Sequence, residues 1–212
     1  MKGGRPGRTL RIAAWIVVLV LAVVPVIFAA ASPLQRGREF LWFVGGMAGV
    51  VALSLLFVQP LLKAAAPPLL APRDGVRWHR LGGMAIVGLV ALHVGALYAY
   101  SPDDITDALL LTAPTPFSVY GVISLWCLVL TAVLAATRRA LNFDQQLWSI
   151  LHSVLAVAVV GAGAVHAIQI EGAMEDMSKI AICIAALTAT TGAVIEVNVL
   201  RPLRLRQRSR RA

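Results

Sequence analysis

"RWHRLGGMAIVGLVALH" spans Arg77–His93. It opens on charges, turns almost wholly apolar, and holds a histidine near each end. A second stretch answers it: "LHSVLAVAVVGAGAVH", Leu151–His166. The chain has only four histidines, His79, His93, His152 and His166, and both pairs are fourteen residues apart. On an α-helix fourteen residues turn about 1400°, roughly 40° short of four full turns, and rise about 21 Å. Each stretch therefore presents two imidazoles on nearly one face. A hydrocarbon core about 30 Å thick would have one of them toward each side. An ionisable side chain inside a membrane is costly and is functional by default.

The composition supports the membrane reading. Of the 212 residues, 59% are hydrophobic and only 14% charged, against roughly 25% charged in a soluble domain. Mean hydropathy is +0.81. Six apolar segments are expected as spanning helices: Ile12–Ala31, Phe40–Gln59, Leu81–Tyr100, Phe117–Ala136, Ser149–Ile170 and Ile180–Leu200. Each approaches the ~20 residues a span needs. Short polar, often proline-bearing stretches separate them, and no convincing strand or glycine-rich nucleotide loop occurs. Cys127 and Cys183 both fall in apolar runs, where free cysteine behaves as a small core residue.

The net charge of +9 argues for topology rather than nucleic acid. With the N-terminus in the cytoplasm, sixteen of the 19 Lys and Arg lie inside, leaving only Arg36, Arg38 and Lys179 outside. That bias predicts both termini cytoplasmic in the cell inner (plasma) membrane. The expected organisation is a basic N-terminus over 1–11, a six-helix domain over 12–200 and a basic tail over 201–212. The tail "RPLRLRQRSRRA" suits anionic lipid; its alternative is a cytoplasmic docking site. "MKGGRPGRTLR" followed by an apolar run and "FAAAS" has features of a signal peptide. The run is longer than the 7–15 residues of a typical signal core, so a retained helix is expected.

In this topology the third and fifth segments run in the same direction. His79 is then level with His152 on the inner side, and His93 with His166 on the outer. A ligand that wants two facing imidazoles in an apolar setting is haem b, whose iron takes an axial nitrogen on each face. Four histidines predict two stacked haems. Leu155, Ala156, Val159, Ala162 and Gly163 lie between one pair. Gly82, Gly83, Ile86 and Val90 lie between the other, and the small residues leave room for a flat macrocycle. Arg77 and Arg80 are the expected partners of the inner propionates. A zinc or copper site would need its ligands within a few ångströms, unlike levels about 21 Å apart.

These two histidine stretches, with "PFSVYGVISLWCLVLTAVLAATRRAL" between them, resemble the ferric reductase-like transmembrane family over roughly residues 40–200. That family includes ferric reductases, NADPH oxidases and the haem-binding membrane subunit of bacterial methionine sulfoxide reductase. The resemblance implies two b haems carrying electrons across the bilayer, with His79 and His152 matching the inner ligands and His93 and His166 the outer. The chain runs about twelve residues past the last segment. It therefore looks like a membrane subunit lacking the flavin and nicotinamide domain of the large members. The sulfoxide reductase subunit commonly lacks a histidine matching His79, so the full set of four leans toward a two-haem protein.

The expected function is transmembrane electron transfer, an oxidoreductase component rather than a complete enzyme. The donor would be a cytoplasmic flavoprotein reductase or membrane quinol, with flavin or quinone supplied through that partner. The acceptor would be ferric iron or a periplasmic protein. One alternative is a haem-binding subunit serving a periplasmic reductase such as methionine sulfoxide reductase. Another, from a different class, is a haem-free transporter or structural membrane protein. A visible spectrum separates the last from the others.

Overall fold

A computed structural model describes residues 8–64, 72–142 and 144–209. Lys2, Arg5, Arg210 and Arg211, and the proline-rich 65–71 stretch, lie outside the described residues. Every regular element among the described residues is helical. The helices are α1 (Arg8–Ala31), α2 (Phe40–Ala64), α3 (Pro72–Tyr100), α4 (Pro102–Leu109), α5 (Pro116–Thr137), α6 (Gln145–Gln169), α7 (Asp176–Ile195) and α8 (Arg201–Ser209). A short 3₁₀ turn, Pro33–Gln35, joins α1 to α2, and a π-helical turn, Glu196–Leu200, joins α7 to α8.

Six helices are long and apolar enough to cross a membrane, so the chain is a multi-pass membrane protein. Helices serve here because lipid offers no partner for a bare peptide group. The helices outrun the apolar segments. α3 starts nine residues before Leu81, so the charged "RDGVRWHR" is helical and His79 sits on the same helix as His93. Local signals set several starts. Pro102 and Pro116 stand at the first helical position, where a missing N–H costs nothing. Asp144 caps α6, its Oδ1 accepting from the N–H groups of Gln146 and Leu147 at 2.7 and 2.8 Å.

α2 packs mainly on α3, and α5 on α6; α7 bridges α2 and α6, and α1 lies against α2 and α7. The α2–α3 seam is close because it is glycine-lined, as small residues allow in membranes. A Cβ at Gly75 would meet the Leu62 carbonyl oxygen at 2.8 Å, and one at Gly45 the Leu97 side chain at 2.9 Å. The core lies among α2, α6 and α7, around Leu53, Phe57, Val160, Ala164, Ile182 and Cys183. Cys183 is fully buried there, whereas Cys127 is half-buried. Exposed side chains on the long helices, such as Ile16, Leu19, Met84, Trp126 and Ile184, form the lipid face.

Because α3 leans on α2 and α6 on α5, space remains between the two histidine helices. One end of that space is roofed. Ile105, Ala108 and Leu109 of α4 line it, as do Ile170, Ala173 and Met174 of the loop before α7. That loop is pinned down. Ser32 Oγ donates to Glu175 at 2.9 Å, Gln35 Nε2 to the Ala173 carbonyl at 3.1 Å, and buried Lys179 to the Ile170 carbonyl at 2.9 Å. Gly172, at φ +113°, makes the turn, a conformation that glycine adopts without a Cβ clash.

Candidate functional site

The four histidines form two facing pairs across that space. The His79 and His152 ring centroids are 5.9 Å apart with planes at 78°; those of His93 and His166 are 6.4 Å apart at 81°. All four rings are half-buried. α3 and α6 are therefore parallel, with one pair toward each end.

Three imidazoles are oriented by backbone. Nδ1 of His93 contacts the Gly45 carbonyl at 2.7 Å, Nδ1 of His166 the Phe117 carbonyl at 2.8 Å, and Nδ1 of His79 the Gln59 carbonyl at 3.1 Å. A carbonyl can only accept, so Nδ1 carries the proton in each case. Nε2 is then the bare lone pair, the form that ligates a metal, with its second-atom partner already in place. Among the described residues, no hydrogen bond reaches Nε2 of any of the four histidines. His152 differs: its buried Nδ1 has no partner. Its ring is held instead by stacking on Trp148, at 5.2 Å and 19°, and Trp148 in turn lies 4.9 Å under the Arg138 guanidinium.

Each pair opens into its own cavity. The cavity at His93 and His166, termed outer after the expected topology as the other is termed inner, is about 390 Å³ and is lined by Val90, His93, Leu97, Phe117, Gly121, Leu125, Gly163 and His166, among others. The inner one, about 290 Å³, contains Gly83, Ile86, Ala156 and Val159 together with Gln59, Lys63, Gln145, Ser149, Thr190 and Arg201. Of the small residues expected beside the rings, Gly83, Ala156 and Gly163 do line cavities. Gly82 instead receives the Gln59 side chain, whose Nε2 would lie 2.5 Å from a Cβ there. Arg77 and Arg80 are exposed and outside the cavity lining. Arg77 precedes His79 by two residues, about 200° around the helix. The cations that do line the inner cavity are Lys63 and Arg201. Lys63 comes from α2. Arg201 donates to the Ala64 carbonyl at 2.8 Å, so it also closes the end of that helix. No local pattern ties either residue to His79, because each is brought there by tertiary packing.

The geometry suits haem b. An iron taking one imidazole nitrogen from each side at about 2 Å would separate the ring centroids by roughly 6 Å. Rings in direct contact span a similar range, so the stronger sign is the tautomer that three carbonyls enforce. No group of three or more His, Cys, Asp or Glu comes together among the described residues. The paired histidines therefore offer two ligands per level, the number left open when a porphyrin supplies the other four.

A family model described as the ferric reductase like transmembrane component matches residues 45–163, more than half of the chain. The chain belongs to that family. Its members generally bind haem and act in transmembrane electron transfer. The matched stretch contains His79, His93 and His152 and stops three residues before His166. It covers α3 and α5 entirely, most of α2 and much of α6, four of the helices that line both cavities. No curated protein and no solved structure matches the chain.

Proposed function

We propose that this ferric reductase-like domain passes electrons across the cell inner membrane through two b haems. His79 and His152 would hold one and His93 and His166 the other. Bound there, haem b supplies a one-electron ferric–ferrous couple. The single observation that carries this reading is the pair of facing imidazole couples, on parallel helices, with Nδ1 engaged and Nε2 bare in three of the four rings.

The chain's own residues supply ligation, orientation and exclusion of water. The Gly45, Phe117 and Gln59 carbonyls fix which ring nitrogen is free. Apolar side chains of α2, α3, α5 and α6 line much of both cavities. Lys63 and Arg201, which line the inner cavity, are further candidate partners for inner propionates beside Arg77 and Arg80. Both termini are cytoplasmic in this reading, on the sixteen-to-three distribution of Lys and Arg. The inner level then faces a cytoplasmic flavoprotein or membrane quinol, and the outer level an acceptor outside.

A protein acceptor is favoured by α4. Its Ile105, Ala108 and Leu109 roof the outer cavity, while Asp103, Asp104 and Asp107 are exposed. A periplasmic reductase with a basic face would meet that acidic surface directly above the outer pair, and its rate would fall as salt rises. Ferric iron as acceptor would lack that protein-docking requirement.

Redox-difference spectroscopy with haem quantitation tests the proposal. A haem-replete preparation should show low-spin b-type spectra and close to two haems per chain. One haem per replete chain overturns the two-site reading, and a chain that takes up none returns the transporter class. Reporters fused in the Pro102–Leu109 segment and at the C-terminal arginines test topology. The first should score outside and the second inside; the reverse would exchange the inner and outer levels.

A further inference from the structure

We infer that Gly49 and Gly121 are positioning residues of the outer pair, each keeping clear the space through which an imidazole reaches a helix carbonyl. This deepens the electron-transfer reading and rests on it. A carbonyl inside an α-helix already accepts from the N–H four residues on, and retains a second lone pair. The side chain at that fourth residue lies over the same face and shields that lone pair. Glycine there removes the shield. The device occurs twice, on two helices. His93 donates to the Gly45 carbonyl at 2.7 Å, and Gly49 is one turn further along α2. His166 donates to the Phe117 carbonyl at 2.8 Å, and Gly121 is one turn further along α5.

The available space shows that both positions need glycine. A Cβ at Gly121 would lie 2.7 Å from both Nδ1 and Cε1 of His166, and one at Gly49 would lie 3.0 Å from Nδ1 of His93. The obstructed atoms are the very ring edge that makes the hydrogen bond. An alanine would push the ring off its carbonyl or turn its plane. The inner level gives the contrast. Gln59 is followed four residues later by Lys63, not glycine, and its bond to His79 is longer, 3.1 Å. Gly95 and Gly161, on the two histidine helices, have nothing within 4 Å of an added Cβ.

The test compares Gly121→Ala and Gly49→Ala with Gly95→Ala and Gly161→Ala in the full chain. The first readout is ¹⁵N NMR of histidine-labelled, haem-free protein. His93 and His166 should carry the proton on Nδ1 in the wild type. Gly121→Ala should lose that signature for His166 alone, and Gly49→Ala for His93 alone. The second readout is electron paramagnetic resonance of haem-loaded protein. Near-perpendicular imidazole planes give a strongly anisotropic low-spin signal. In both variants the outer signal should become less anisotropic or outer haem retention fall at least tenfold, with the inner signal unchanged. Gly121→Ala, the tighter position, should show the larger change, and the two controls none. Wild-type protein with Nδ1 bare at His93 and His166 overturns the inference without any variant. So do folded variants that match the wild type in both readouts. A wild type that binds no haem but passes the NMR test would defeat the electron-transfer reading and leave the glycine positioning intact.

Discussion

The inner and outer histidine levels begin from the same fourteen-residue spacing and end as different sites. At the outer level both rings are tied to backbone, at 2.7 and 2.8 Å, and a roof made of α4 and the loop before α7 covers the cavity. At the inner level one ring is tied at 3.1 Å and the other leans on an indole. Three buried polar atoms that line the inner cavity have no partner: Gln59 Oε1, His152 Nδ1 and Thr190 Oγ1. Among the described residues, the outer lining has none of the unpartnered buried atoms. Equal spacing thus does not make equal surroundings. Backbone carbonyls give the outer pair a fixed orientation, whereas the inner pair has polar groups in reserve for whatever it binds. Buried polar groups left unpaired are costly, so an occupied inner cavity should engage some of them.

The largest break in this comparison should come from the ligands themselves. His166→Ala or His93→Ala should abolish outer haem and cut electron transfer across a proteoliposome by about 100-fold or more, since a missing ligand has no substitute nearby. His79→Ala and His152→Ala should do the same for the inner signal. Haem quantitation and redox titration distinguish the two outcomes. Loss of the outer signal on substituting His152 with the inner one retained would refute the pairing. Next in size is Trp148→Ala. Ring stacking contributes about 0.5–1.5 kcal/mol, so inner haem retention should fall by roughly two- to tenfold. The outer signal should not move. An equal fall at both levels would mean that Trp148 acts on the bundle and not on His152. Third is Asn198→Ala. Asn198 sits in the π-helical turn, accepts from Ser149 Oγ and donates to Ser153 Oγ, both at 2.8 Å. Those residues flank His152 on α6. At an average of about 0.6 kcal/mol per bond between membrane helices, losing the bridge should cost about 1 kcal/mol, read as a lower unfolding temperature in detergent.

Much of this was legible in the chain. The six spans are long apolar runs, and lipid permits little besides helices there, so their number and order follow from length and hydropathy. The level pairing follows from the helical period and from an odd–odd topology. Other features were not legible, for a physical reason in each case. The helix α4 lies in what reads as a loop, because eight residues with three aspartates carry too short a period to detect. Arg77 and Arg80 are near His79 in sequence yet are exposed and outside the inner cavity's lining, since adjacency of one or two residues is not adjacency on a helix face. Lys63, on α2, and Arg201, at the start of α8, reach the inner cavity through tertiary packing, which no local pattern encodes. The glycines of "GGMAG" and "FSVYG" read as generic small residues; their role depends on which helix faces them. The π-helical turn at Glu196–Leu200 has no sequence signature, although such turns recur at functional sites.

The smallest expected effect is also the one that separates the two levels most cleanly, because its sign differs between them. Thr190 Oγ1 is buried and without a partner in the inner cavity, whereas Ser124 Oγ, in the outer lining, donates to the Val159 carbonyl at 2.9 Å. Thr190→Val keeps the shape of the side chain and removes only the stranded hydroxyl. Replacing an unsatisfied group by an apolar one of like shape is neutral or stabilising by up to about 1 kcal/mol. Ser124→Ala instead removes a made hydrogen bond, which averages about 0.6 kcal/mol between membrane helices. In haem-free protein, Thr190→Val should therefore hold or raise the unfolding temperature, and Ser124→Ala should lower it slightly. Haem-loaded protein should reverse the first result, with Thr190→Val weakening inner haem retention if the hydroxyl pairs with the bound group. A Thr190→Val chain that is less stable when haem-free would mean that the hydroxyl is already satisfied within the bundle. The contrast between a fully bonded outer level and a waiting inner one would then fail at that residue.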